Sequence, residues 1–66
     1  MTGTIIDDKN IIDYKSEPLL RSPQDYSISY IVSGQPVEHV IPWHFSKKQA
    51  ESREFVESQV KKDIYG

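Results

Sequence analysis

The sequence predicts an α+β fold, in which a small antiparallel sheet of two to four strands is packed by one C-terminal helix. Residues 26–33 and 37–42 alternate between apolar and polar side chains on either side of a turn at Gly34, which is typical of a β-hairpin. A helix-cap pattern at Ser46 precedes residues 47–63, where apolar side chains recur at helical spacing. The length of 66 residues is that of a single small domain.

The register of the central hairpin follows from its alternation. A fold at Gly34-Gln35 pairs Val32 with Val37, Tyr30 with His39, Ile28 with Ile41, and Tyr26 with Trp43. This register puts every large apolar side chain of both strands on one face, and a slip of one residue would separate them. Because Pro36 has no N–H, a four-residue loop is favoured over a two-residue turn. Pro42 cannot donate either, so pairing is expected to stop near Ile41 or to lie at a sheet edge.

The first fifteen residues admit two interpretations. Ile5-Ile6 and Ile11-Ile12 flank a turn-forming segment at Asp7–Asn10, which favours a short additional hairpin. The alternative is a mobile tail that becomes ordered only on a partner. In the connector that follows, Leu19 and Leu20 are expected to close one end of the core.

The helix is predicted over residues 47–63 because its start and its apolar face are both recognisable. Ser46 and Gln49 match a capping box, in which two side chains satisfy backbone N–H groups of the first turn. The apolar face of the helix consists of Phe55, Val56, Val60 and Ile64. This face is narrow, so the helix is expected to cover only one side of the sheet.

Composition bounds the possible functions. The chain has no cysteine, which leaves neither disulfides nor thiolate metal ligands. The net charge of −2 is too weak for a phosphate-binding surface, so nucleic acid is an unlikely partner. No apolar run approaches the roughly 20 residues of a membrane span, and the N-terminus lacks the layout of a signal peptide. We therefore expect no membrane association and, by default, a cytoplasmic location.

Catalytic and metal-binding patterns are not recognisable. His39 and His44 are five positions apart, so on one continuous strand they point to opposite faces and cannot share a metal ion. No serine stands in a glycine-flanked strained turn beside a candidate base. The glycines at 3, 34 and 66 are too scattered for a phosphate-binding loop. The sequence thus predicts a protein that is not an enzyme and that needs no cofactor or metal.

The sequence therefore favours a non-enzymatic protein-binding module, such as an adaptor, an inhibitor or a small subunit of a larger assembly. A hydrophobic content of 36% is lean for a folded domain, and such domains often gain stability from another protein or from a second copy. A similar layout occurs in many short accessory proteins, including phage-encoded ones, but this is an analogy of architecture alone.

Four residues are the candidate partner contacts: Ile31, Val40, Trp43 and His44. Ile31 and Val40 stand on the otherwise polar face of the hairpin, and tryptophan is a common interface anchor. Trp43 and Phe45 are nevertheless expected to point into the core, with His44 facing outward beside the helix start. The alternative hypothesis is a nucleic-acid-binding or regulatory module that uses the basic side chains of the helix, although glutamates are interleaved with them.

Overall fold

The fold is α+β, as the sequence predicts, with helices on one face of an antiparallel sheet. The computed structural model describes all residues from 1 to 66. The elements are β1 (Thr2–Ile6), β2 (Ile11–Pro18), β3 (Asp25–Val32), β4 (Glu38–Val40), β5 (Phe45–Ser46), α1 (Lys47–Ala50) and α2 (Arg53–Tyr65). The five-stranded sheet has the order β1-β2-β3-β4, and β5 pairs with the first part of β3 beside β4.

The N-terminal residues form a hairpin, which is the first of the two sequence interpretations. Strands β1 and β2 pair in antiparallel register from Thr2 opposite Lys15 to Ile6 opposite Ile11. The turn between them is closed by a hydrogen bond from the Asp7 backbone N–H to the Asn10 carbonyl oxygen, at 2.9 Å. Because β2 also pairs with β3 along its whole length, the hairpin is an integral part of the sheet.

The predicted register of the central hairpin is confirmed for two of its four pairs, Tyr30 with His39 and Ile28 with Ile41. Tyr30 lies opposite His39, and their rings are stacked with centroids 5.1 Å apart. The Ile41 N–H donates to the Ile28 carbonyl, which keeps the same register. At the turn, the Gln35 N–H donates to the Val32 carbonyl across Gly34, whose φ of 87° is a conformation that glycine adopts without strain.

The prediction for Tyr26 and Trp43 is wrong. Tyr26 lies opposite Phe45, because the chain bends at Pro42-Trp43 and pairing resumes two residues later. Pro42 fixes its own φ at about −65°, which favours a bend over a continued strand. As a result Phe45 is buried as expected, whereas Trp43 is 67% exposed instead of pointing into the core. The predicted pair of Val32 with Val37 is also absent from the ladder, because Val37 belongs to the loop before β4 and is exposed.

The prediction of one helix over residues 47–63 requires correction. The capping box at Ser46 is present, with Gln49 donating its N–H to the Ser46 hydroxyl oxygen. However, the helix is interrupted at Glu51-Ser52, where the Ser52 hydroxyl oxygen accepts a hydrogen bond from the Phe55 N–H and caps α2. Serine competes with the backbone for hydrogen bonds and therefore favours a cap over a helix interior.

The core lies between the sheet and α2. Its completely buried large side chains are Ile12, Ile28, Val56 and Val60. Phe45 and Phe55 meet edge to face at 5.6 Å and close the end of the core near α1. The leucine pair was predicted to close an end of the core, and this is wrong for Leu20, which is wholly exposed in the connector; Leu19 is half-buried.

Candidate functional site

The sheet has two unlike faces, and they separate structural side chains from available ones. We call the face under α1 and α2 the helix side and the opposite face the open side. Alternation along each strand sends successive side chains to opposite faces. Ile12 and Ile28 therefore lie on the helix side, whereas Ile11 and Ile31 lie on the open side. The open side has no element of this chain packed on it.

Four aliphatic side chains cross the open side diagonally. We call them the apolar stripe; each strand from β1 to β4 contributes one residue: Ile6, Ile11, Ile31 and Val40. Their exposed fractions are 82%, 50%, 44% and 59%, respectively. Ile6 lies directly opposite Ile11, and Ile31 lies diagonal to both Ile11 and Val40 in the register. Such diagonal neighbours are close enough for aliphatic side chains to form one patch.

Charged side chains surround the apolar stripe and are already paired. Lys15 is paired with two carboxylates: its Nζ lies 3.8 Å from a carboxylate oxygen of Glu17 and 3.4 Å from a carboxylate oxygen of Glu38. The Thr4 hydroxyl donates to the Asp13 carboxylate at 2.9 Å. All of these groups except Glu17 line an open depression of about 420 Å³. With three carboxylates and one ammonium group, the open side carries net negative charge.

The four predicted contact residues do not form one site. Ile31 and Val40 lie together in the apolar stripe, on neighbouring strands. Trp43 lies instead beside Gln59 and Lys62 of α2, in a groove of about 220 Å³ on the helix side. His44 is exposed in the segment just before β5. The bend at Pro42-Trp43 separates Trp43 and His44 from Ile31 and Val40.

Ile6 and Ile11 are not among the four predicted contact residues, although the sequence carries a signal for them. In a strand, two adjacent residues must face opposite sides of the sheet. The pairs Ile5-Ile6 and Ile11-Ile12 therefore each expose one isoleucine once one side is covered. Since Ile5 and Ile12 are buried on the helix side, Ile6 and Ile11 form half of the apolar stripe.

On the helix side, three hydroxyl groups of the sheet donate to the helices. The Tyr14 hydroxyl donates to Glu57 at 2.6 Å, and the Ser16 hydroxyl donates to the Ala50 carbonyl oxygen at 2.8 Å. The Tyr30 hydroxyl donates to Asp63 at 2.5 Å. These bonds connect β2 and β3 to both helices, and they satisfy hydroxyl groups that would otherwise be buried without partners.

The two buried tyrosines are suited to donating hydrogen bonds and not to acting as bases. Burial, together with the hydrogen bond to Asp63 and the negative charge of that carboxylate, raises the pKa of Tyr30 to about 12. Burial also raises the pKa of Tyr14, as does its bond to Glu57, although the Arg53 guanidinium opposes the increase. Both phenols therefore stay protonated at neutral pH and hold the helices on the sheet.

The Tyr14 side chain lies close against strand β1, and this depends on Gly3. A Cβ atom added at Gly3 would overlap the Oη and Cζ atoms of Tyr14, and would lie 2.8 Å from an Arg53 guanidinium nitrogen. The Tyr14 ring thus covers the glycine on the neighbouring strand, and its Oη accepts a hydrogen bond from Arg53 at 3.1 Å. The arrangement is a packing site that aligns β1, β2 and α2.

The two histidines lie in different surroundings. His39 lies opposite Tyr30, as predicted, and their rings stack. The Nε2 of His39 lies 3.2 Å from the Gln35 side-chain oxygen. No group of three His, Asp or Glu side chains in the structure is arranged to hold a metal ion. Neither helix has the length and apolar character that crossing a bilayer would require.

Comparison of the chain with protein families, with curated proteins and with solved structures finds no match. The contrast between the two sides of the sheet is therefore the ground for proposing a function.

Proposed function

We propose that this protein is a non-enzymatic protein-binding module, acting as an adaptor, an inhibitor or a small subunit of a larger assembly, and that the open side is its binding surface. The observation that carries the proposal is the apolar stripe, which crosses all four principal strands without any cover from this chain. Contiguous apolar patches with a polar rim are typical of protein-binding surfaces.

The charges around the apolar stripe support a partner of particular chemistry. Asp13, Glu17 and Glu38 outnumber Lys15 on this side, so the rim is acidic. A partner with an apolar centre and basic groups around it would be electrostatically complementary. The same acidic rim repels nucleic acid phosphates, which disfavours a nucleic-acid function for this surface.

Three polar groups on the helix side, those of Tyr14, Tyr30 and Arg53, are engaged in holding the fold together. Tyr14 and Tyr30 donate to helix carboxylates, and burial keeps both phenols protonated. Arg53, one of the basic groups of the helices, donates to Tyr14. These roles support a binding function over catalysis or nucleic-acid recognition by the helix face.

The experiment compares two lysine substitutions at exposed aliphatic residues. Tagged wild-type protein, Ile31→Lys and Leu20→Lys are used as baits in extract from the source cells, and retained proteins are identified by mass spectrometry. Ile31 lies in the apolar stripe, whereas Leu20 is exposed in the connector away from it. A protein retained by wild type and Leu20→Lys, and lost with Ile31→Lys, is the expected result. Equal retention by all three baits would reject the open side as the binding surface.

Titration of duplex and single-stranded DNA tests the alternative. No binding at low salt is the expected result. Binding that weakens steeply as salt is raised, and that is lost when Lys47 and Lys48 in α1 are both changed to glutamate, would instead favour the nucleic-acid hypothesis.

A further inference from the structure

Strand β1 forms one edge of the sheet, and its outward backbone groups are unpaired within the chain. Met1 and Ser16 exchange backbone hydrogen bonds, and the Asp7 N–H donates to Asn10. Along an antiparallel strand, the backbone groups of successive residues point alternately toward and away from the partner strand. The residues of β1 whose N–H and C=O groups point away from β2 are therefore Thr2, Thr4 and Ile6. Their N–H and C=O groups make a row that can accept another strand.

The opposite edge differs, because β4 is short and bounded by prolines. It contains only the residues Glu38–Val40. The backbone N–H and C=O groups of His39 face Tyr30 of β3, so those of the even-numbered residues point away from the sheet. The next even-numbered positions on either side of β4, 36 and 42, are both proline. Proline has no N–H to donate, and short strands, charged residues and prolines are common means of blocking an edge. Strand β1 has none of these features.

We infer that β1 pairs with β1 of a second copy of this chain, in antiparallel register about a twofold axis at Thr4. This register sets Thr4 opposite Thr4 and Thr2 opposite Ile6 of the second copy. Each of these pairs consists of outward-pointing residues, so each can exchange both of its backbone hydrogen bonds. The two sheets then form one continuous sheet, and neither copy has an accessible long edge.

The side chains of β1 fit this pairing with itself. The strand Thr2–Ile6 carries no charge, so no like charges are opposed across the twofold axis. On the open side, Thr2 lies beside Ile6 of the second copy, and β-branched neighbours of this kind favour strand pairing. On the helix side, Ile5 lies beside Gly3 of the second copy, which presents no Cβ because the Tyr14 ring occupies that space.

Charge also argues against the other symmetric arrangement, in which two copies pack through their open sides. That contact would bury Asp13, Glu17 and Glu38 of both copies against only two lysines. Burying unpaired carboxylates is strongly unfavourable. Edge pairing leaves these groups in water and leaves the apolar stripe free. The inference therefore does not depend on the proposed function of the open side.

The test measures molar mass as a function of concentration for wild type, Thr4→Pro and Thr4→Val, by sedimentation equilibrium. Proline removes the outward N–H of Thr4 without breaking a backbone hydrogen bond inside the chain. Both variants lose the hydroxyl bond to Asp13, so Thr4→Val, which keeps the N–H, is the matched control. Wild type and Thr4→Val should reach twice the monomer mass, and Thr4→Pro should remain at the monomer mass. A wild type that stays monomeric, or a folded Thr4→Pro variant that still dimerises, overturns the inference.

Amide hydrogen exchange of the wild type decides the question even if Thr4→Pro fails to fold. The N–H groups of Thr2, Thr4 and Ile6 should exchange slowly in concentrated protein and fast in dilute protein, while those of Gly3 and Ile5 stay protected in both. A dimer in which the outward amides exchange fast overturns edge pairing. Ile31→Lys, which changes the open side alone, should dimerise as wild type does, so failure of the proposed function leaves this result unaffected.

Discussion

The helix side and the open side of the sheet show how the same residue type acquires opposite roles. Ile11 and Ile12 are adjacent in β2, yet Ile12 is completely buried and Ile11 is half exposed. Ile28 and Ile31 of β3 show the same contrast. Composition cannot distinguish the members of each pair, whereas position in the strand alternation does. Side chains on the helix side stabilise the fold, and those on the open side are available for a partner.

The largest expected effect is loss of core packing at Ile28. Replacing a buried isoleucine by alanine removes its burial and leaves a cavity, which costs about 2–5 kcal/mol. A domain of 66 residues has a free energy of unfolding of only about 3–10 kcal/mol in total. We expect Ile28→Ala to lower the free energy of unfolding by about 3 kcal/mol, measured by urea denaturation followed by circular dichroism.

Two further variants make this comparison sharp. Ile28→Val should fold and should cost about 1 kcal/mol, so the effect can be measured even if Ile28→Ala is unfolded. Ile31→Ala, on the open side of the same strand, should cost under about 0.5 kcal/mol. If Ile31→Ala proved as costly as Ile28→Ala, the open side would be covered in solution, and the contrast between the two sides would fail.

Features set by local chemistry were predictable from the sequence. The register of Tyr30 with His39 followed from alternation on either side of Gly34, and the start of α1 followed from the Ser46 capping box. The exposure of Ile31 and Val40 followed from the same alternation. Each depends on residues close together in the chain, where spacing alone determines which side chains share a face.

Features set by contacts between distant segments were not predictable. Whether pairing resumes after Pro42 depends on how far β5 reaches along β3, and this decided the position of Trp43. The bonds of Tyr14 to Glu57 and of Tyr30 to Asp63 join residues more than thirty positions apart. No local pattern marks such pairs. The break at Ser52 was missed because a second serine cap looks like an ordinary polar helix position.

A smaller effect is expected at Gly3, where the helix side is crowded. Gly3→Ala places a Cβ against the Tyr14 ring, and overpacking of this kind costs about 1–3 kcal/mol. Thr4→Ala, at the next residue but on the open side, loses one exposed hydrogen bond to Asp13 and should cost about 0.5 kcal/mol. Urea denaturation of both variants measures the difference between the two sides on a single strand.

The cause is tested by removing the ring. In a Tyr14→Leu background, Gly3→Ala should cost much less than in wild type, because the Tyr14 atoms nearest to the added Cβ have gone and the Arg53 side chain is free to move away. Coupling between the two substitutions is the expected outcome of the double-mutant cycle. Strictly additive costs would show that Gly3 is required for some reason other than the approach of Tyr14.

A small effect at neutral pH is expected for Tyr30→Phe, which removes one hydroxyl from the helix side. Loss of its hydrogen bond to the exposed Asp63 should cost about 1 kcal/mol. The pKa of Tyr30 is raised from 10.0 to about 12 in the folded protein, so folding favours the protonated phenol. The stabilisation is therefore fully present below pH 10 and is lost as the pH rises through about 12.

Wild type should consequently lose on the order of 2 kcal/mol more stability than Tyr30→Phe between pH 10 and pH 12. Denaturation at several pH values measures this difference, and tyrosinate absorbance of wild type minus Tyr30→Phe gives the titration midpoint.

Asp63→Asn removes the neighbouring negative charge but leaves the phenol buried. Because burial is the main cause of the raised pKa, the midpoint in Asp63→Asn should fall yet stay above 10. A midpoint near 10 would mean that the Tyr30 ring is solvated, and that the helix side is less closed than its packing indicates.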